Sequence, residues 1–129
     1  IGAAVARPQV PTSLMVGDGG LMVHLGELAT IAQERPWLVA IVFNDGGYGV
    51  LRNLQDAHFD HRAGVDLTNP DFAKLASSFD LGYERLGDEA QALTVLERAV
   101  SNGGPVLVEV DCAAYGPMAE PFVPPVPIS

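Results

Sequence analysis

The chain has 129 residues, 48% hydrophobic and 18% charged, which is enough apolar material for one core and excludes wholesale disorder. Sixteen acids against seven bases leave a formal net charge of -9, the opposite of a nucleic-acid or anionic-membrane footprint, so no such partner is expected. The single cysteine, Cys112, rules out an internal disulfide or a cysteine-rich metal site and makes a reducing, cytoplasmic compartment the expectation.

Taken in chain order, Ile1 to Pro8 reads as the last turns of a helix stopped by proline, which suggests a fragment of a longer polypeptide. The first residues lack the basic-then-apolar pattern of a signal peptide, and the longest apolar run, 37–43, is far shorter than the ~20 residues of a membrane span. Residues 12–16 form a short apolar run entering Gly17-Asp18-Gly19-Gly20, which predicts a buried strand and a tight turn. A helix over 21–34 follows, with Leu21, Leu25, Leu28 and Ala32 on its inner face. Residues 37–43 have no polar alternation and read as a central strand covered on both faces. That strand stops at Asn44-Asp45-Gly46-Gly47-Tyr48-Gly49, the densest turn signal in the chain.

A short helix over 50–56 and a mobile loop over 57–68 come next. Asn69 and Pro70 are the expected N-cap and first residue of a helix carrying Phe72, Leu75, Ala76 and Phe79 inward. Residues 83–86 predict a strand, and Asp88 caps a helix with Leu93, Leu96 and Val100 inward, ended by Asn102-Gly103-Gly104. The last strand is 106–110, and residues 113–129, with five prolines after Tyr115, read as an extended tail to a domain spanning 1–112. Strands alternating with helices imply an α/β fold of three layers, a mostly parallel sheet with helices on both faces. Ligands in such sheets sit at the carboxyl ends of strands, where both glycine-rich turns fall.

The first turn has the glycines and following helix of a phosphate cradle, yet the carboxylate of Asp18 would repel a phosphate. Two unit charges about 4 Å apart interact by roughly 4 kcal/mol at an effective dielectric near 20, more than the ~0.3 to 1 kcal/mol typical of a helix dipole. A divalent cation between them reverses the sign. Magnesium suits this role, taking carboxylate, phosphate and water oxygens. A dinucleotide fingerprint would need glycine where Met22 stands, and the lysine of a P-loop is missing. The second turn adds the neutral side-chain oxygen of Asn44 and carbonyls left sterically free by glycine.

Gly17-Asp18-Gly19, then Asn44 after 24 intervening residues, resembles the cofactor signature of thiamine diphosphate-dependent enzymes. Further segments, Glu27-Leu28-Ala29-Thr30, Asn44 through Arg52, Asn69-Pro70-Asp71-Phe72 and Gly104 through Val110, are similar in order to the diphosphate-binding domain of the acetolactate synthase and benzoylformate decarboxylase branch. The resemblance implies that Asp18 and Asn44 bind magnesium through their side chains and Gly46 through its carbonyl. It further implies that N–H groups of Gly19, Gly20 and the Gly47-Tyr48-Gly49 segment hold the diphosphate, with Val50 and Leu51 towards the reacting ring and substrate. Asp45 stands where many relatives carry a second asparagine, and little loss of binding is expected from it.

The implied activity is decarboxylation or carboligation of a 2-oxo acid. The resemblance places the activating glutamate on a pyrimidine-binding domain of a neighbouring subunit. A homodimer or homotetramer is therefore expected of the intact protein, and the isolated chain, which carries no catalytic residue of its own, is expected to be inactive. The alternative is a non-catalytic cofactor-binding module or regulatory homologue. A phosphoacceptor receiver would need a lysine at a strand end, but Lys74, the single lysine, lies in a predicted helix. His58 and His61 flank Asp60 at a zinc-like spacing without a third ligand cluster, which favours a loop over a metal site. His24 and Glu27 read as surface or packing residues, Tyr48 as a backbone contact, and Cys112 as a small buried residue.

Overall fold

The computed structural model describes residues 1–116; the proline-rich remainder of the expected tail lies outside the described residues. Four strands form one sheet, β1 (Thr12–Gly17), β2 (Leu38–Asn44), β3 (Gly82–Leu86) and β4 (Val106–Asp111), in the order β1-β2-β4-β3 and parallel throughout. The central pair is the most apolar, as expected of strands covered on both faces.

Among the described residues six α-helices accompany the sheet: α1 (Gly2–Ala6), α2 (Asp18–Val23), α3 (Glu27–Glu34), α4 (Gly49–His58), α5 (Phe72–Ser78) and α6 (Ala92–Ser101). One face carries α1, α2, α3 and α5, whose Ala4, Leu21, Leu28, Ile31, Phe72 and Ala76 close over Leu38, Val42 and Leu107. The other carries α6, whose Val95 and Ala99 close over Val39, Val106, Val108 and Val110. The three-layer α/β/α arrangement is therefore present, and none of the described helices is long and apolar enough to cross a membrane.

Three local expectations are corrected. The single helix over 21–34 is two, because i to i+3 turns through His24 and Leu25 interrupt it just before Gly26, a poor helix former. That break resets the phase, so Ile31 is buried with Leu28 while Ala32 is only half-buried. In α6 the inward residues are Val95 and Ala99; Leu93 is 70% exposed and Val100 is also exposed. Both faces of α6 have apolar residues at helical spacing, and close approach to a valine-covered sheet selects the one with the smaller side chains.

The third correction concerns α5. Its N-cap is Asp71, whose side chain accepts the Lys74 N–H at 3.0 Å, which leaves Asn69 free of that duty. The preceding segment, expected as a loop, begins two residues later than predicted because α4 extends to His58. It is tied to the second turn by a Gly47 to Asp66 bridge and to α4 by paired bonds between Gln55 and Ala63.

Candidate functional site

The register aligns the carboxyl ends of β1, β2 and β4, with Gly17 beside Phe43 and Asn44 beside Asp111. Both glycine-rich turns therefore open into one crevice of about 340 Å³, lined by Asp18, Gly20, Asp45, Tyr48 and Val50 among others. The chain leaves β1 directly into α2, and this abrupt turn buries Asp18 to 1% exposure. A carboxylate is rarely so buried without partners. Asp18 Oδ1 accepts the Gly19 N–H at 2.9 Å, and Oδ2 accepts the Asn69 amide Nδ2 at 2.5 Å.

Asn44, at the end of β2, places its Oδ1 2.9 Å from the same Asn69 nitrogen. The two oxygens predicted as metal ligands thus converge on a single point, at present filled by an N–H donor. Their separation from that point, 2.5 and 2.9 Å, is longer than the 2.0–2.1 Å of magnesium coordination. The donor set, one carboxylate and one amide oxygen, is of the hard-oxygen kind that magnesium takes. The residues therefore fit a small divalent cation in chemistry and direction. Among the described residues no group of three His, Cys, Asp or Glu side chains is placed to hold a metal ion, so such a site must be completed by amide, main-chain or ligand oxygens.

Strand periodicity explains which end of the Asn44 amide faces the site. Asn44 follows Leu38 and Val42 in parity, and Glu109 follows Leu107, so both project on the face that carries α5. Glu109, only 9% exposed, accepts Asn44 Nδ2 at 2.7 Å and the Tyr83 hydroxyl at 2.5 Å. The carboxylate can only accept, so it holds the nitrogen end of Asn44 and turns the oxygen end to Asp18. Burial, and then the hydrogen bond to Glu109, push the Tyr83 hydroxyl well above the ordinary phenol range. Glu109 and Tyr83 escaped the sequence reading, although one charge inside the apolar run Val106-Leu107-Val108-Glu109-Val110 was the available signal.

Asn69 was also missed as a site residue, having been assigned to a helix cap. Its Oδ1 is buried and finds no hydrogen-bond partner among the described residues, an arrangement that costs about 1–3 kcal/mol.

The remaining predicted residues surround this cluster. A Cβ on Gly19 would stand 2.6 Å from Tyr48 Cε1, so the aromatic ring lies flush against the glycine backbone. Gly46 adopts φ +78°, its N–H donates to Asn44 Oδ1 at 3.3 Å, and its carbonyl accepts the Leu67 N–H at 2.9 Å. The Gly47 N–H donates to Asp45 Oδ1 at 3.2 Å and that of Tyr48 to the Val65 carbonyl at 2.9 Å. Gly20, Gly49, Val50 and Leu51 border the crevice, the last two about half exposed.

Asp45 turns into the crevice rather than away from it, and a Cβ on Gly49 would strike its Oδ2. Burial and the nearby Asp18 charge raise its pKa above the ordinary carboxylate value, and Arg52, 3.8 Å away, opposes the shift. Arg52 is itself held by Asp66 at 2.7 Å and by the Asp45 carbonyl at 2.7 Å.

Cys112 is half-buried and borders the crevice; burial and the charges of Asp45 and Asp18 push its thiol upward, away from nucleophilic use. His24, Glu27, His58, Asp60 and His61 are all exposed and remain outside the cluster.

Comparison with known proteins bears on the family. The model of the thiamine pyrophosphate enzyme family's C-terminal TPP binding domain matches residues 1–110. The acetolactate synthase isozyme 2 large subunit of Escherichia coli is 31% identical over 112 residues, covering 85% of this chain and 20% of the relative. The acetolactate synthase of Bacillus subtilis is 31% identical over 110 residues, 85% of this chain and 19% of the relative. A probable acetolactate synthase large subunit of Methanocaldococcus jannaschii is 31% identical over 125 residues, 94% of this chain and 21% of the relative. The chain thus spans about a fifth of the length of these curated relatives. With the parallel sheet, the two glycine-rich turns at its carboxyl edge and the match over nearly the whole described chain, this protein belongs to the thiamine pyrophosphate enzymes, as their C-terminal TPP-binding domain.

Proposed function

We propose that this chain is the diphosphate- and Mg2+-binding domain of a thiamine diphosphate-dependent 2-oxo acid decarboxylase or carboligase, of the acetolactate synthase kind. The observation that carries the reading is the convergence on one point of Asn44 Oδ1 and Oδ2 of Asp18, which lines the crevice between the two glycine-rich turns. When bound, thiamine diphosphate supplies a nucleophilic ring carbon and a sink for the electron pair left behind by carbon dioxide.

The residues of this chain would do the holding. Asp18 brings the negative charge that a cation needs, Asn44 a neutral oxygen aimed by Glu109, and Gly46 a carbonyl with a second lone pair besides the one given to Leu67. Magnesium held there would neutralise the diphosphate that a chain of net charge -9 otherwise repels. Gly20, Gly49 and Val50 line the crevice, where their N–H groups would meet phosphate oxygens, and the N–H of Gly47 already meets the carboxylate of Asp45. Val50 and Leu51 leave apolar surface exposed at the crevice, which would face the reacting end.

The rest of the machinery, an activating glutamate on the pyrimidine-binding domain of a neighbouring subunit in a dimer or tetramer, would come from elsewhere in the assembled protein. The chain alone is accordingly inactive. Titration of thiamine diphosphate into the intact polypeptide, with and without Mg2+ and again with Asp18→Ala, tests the reading. Binding should require both the cation and the carboxylate; binding indifferent to both would overturn it.

A further inference from the structure

The position of Asn69 is set by its neighbours rather than by its own chain segment. Asp18 can only accept, and Asn44, with its nitrogen end committed to Glu109, presents an oxygen. Between two acceptors only the NH2 end of an amide fits. Asn69 therefore gives both acceptors the same nitrogen and strands its Oδ1 in a buried position without a donor. The residue is also free to serve here, since Asp71 caps α5 in its place.

A divalent cation at the point where the two oxygens meet inverts each of these preferences. Asp18 and Asn44 turn from hydrogen-bond acceptors to ligands, an NH2 group facing the cation is repelled, and the oxygen end of the same amide becomes the favoured one. The two ends of an amide are nearly equal in size, so the exchange needs only rotation about the Cβ–Cγ bond.

We infer that Asn69 is a third side chain of the divalent-cation site, capping Asp18 and Asn44 through its nitrogen when no cation is bound and offering Oδ1 to the cation or its water when one enters. This rests on the reading of Asp18 and Asn44 as metal ligands. It differs from a merely structural role, in which Asn69 pins the segment before α5 to the two turns and its loss changes stability alone.

The test uses Mn2+ as a spectroscopically visible substitute for Mg2+, titrated into the full polypeptide with thiamine diphosphate and followed by electron paramagnetic resonance. Asn69→Ala should weaken Mn2+ binding by about tenfold or more, the range found when groups supporting a metal site are removed. Asn69→Asp, which restores an oxygen, should recover most of it. In the wild type the Asn69 side-chain amide resonances should shift on Mg2+ addition as the nitrogen leaves its two acceptors. Circular dichroism of both variants checks folding, and Asp18→Asn serves as the reference loss.

Unchanged or tighter Mn2+ binding by folded Asn69→Ala, with Asp18→Asn still losing it, overturns this inference and leaves the ligand pair intact. Failure of the wild type to bind, or retention by Asp18→Asn, overturns both.

Discussion

Asp45 places a second carboxylate beside Asp18 at the mouth of the crevice. Asp45→Asn removes a negative charge from the region assigned to diphosphate while keeping an acceptor for the Gly47 N–H. Magnesium-dependent thiamine diphosphate binding should tighten by up to about tenfold, roughly 1.4 kcal/mol, with Arg52 limiting the gain. Calorimetric titration measures it. Glu109 acts at one remove: Glu109→Gln takes the charge from the group that orients Asn44, and metal-dependent binding should weaken by about 10- to 100-fold. Tyr83→Phe, which removes one of that carboxylate's two side-chain donors, should lower stability by about 1 kcal/mol in chemical denaturation.

These residues differ in how visible they were in advance. Asp18 and Asn44 announced themselves by lying in glycine-rich turns at strand ends. Asn69 did not, because Asn before Pro carries an equally good local explanation as a cap, and it meets Asp18 across 51 positions and Asn44 across 25.

At the scale of elements, the strands and their order in the chain follow from apolar runs between Gly and Pro punctuation, and each predicted strand lies within about a residue of its predicted bounds. Helix faces were less accessible. In α6, Ala92, Val95 and Ala99 compete with Leu93, Leu96 and Val100, and hydrophobicity alone favours the larger set. Val95→Ala should cost about 1–3 kcal/mol in denaturant unfolding, since the side chain is 1% exposed. Leu93→Ala should stay within about 0.5 kcal/mol. The reverse ranking would mean that the helix packs by its other face. At the first turn, Gly19→Ala would drive a methyl into the ring of Tyr48. It should displace that ring and reduce cofactor binding, a change visible in the tyrosine fluorescence and in the same titration.

For the whole molecule, charge sets the conditions under which the fold persists. Glu84, held by two bonds from Arg98, and Asp56 and Asp71, each hydrogen-bonded to a basic residue, have pKa values below their ordinary 4.5 and 3.8. A carboxylate with a lowered folded pKa stabilises above its unfolded value, and that contribution disappears as pH falls through the folded one. Thermal midpoints should therefore drop on acidification below about pH 4.5, and Glu84→Gln should lose its small penalty there. Tyr83 runs the other way: its pKa is raised from 10.0, so its contribution is complete below that value and lost at higher pH. Metal and cofactor together should raise the thermal midpoint, and a chelator should reverse the gain.

The sequence by itself determined the α/β alternation, the positions of the two glycine-rich turns and an acidity that any phosphate-bearing ligand would have to overcome. Each of these is local, written in periodicity, in glycine placement or in the sum of charges. Only the tertiary structure decided which way Asn44 faces, which helix side is buried and where Asn69 sits. Those depend on groups far apart in the chain, Glu109 and Tyr83 from two neighbouring strands and Asp18 from the start of α2, meeting where burial makes every unpaired polar atom costly.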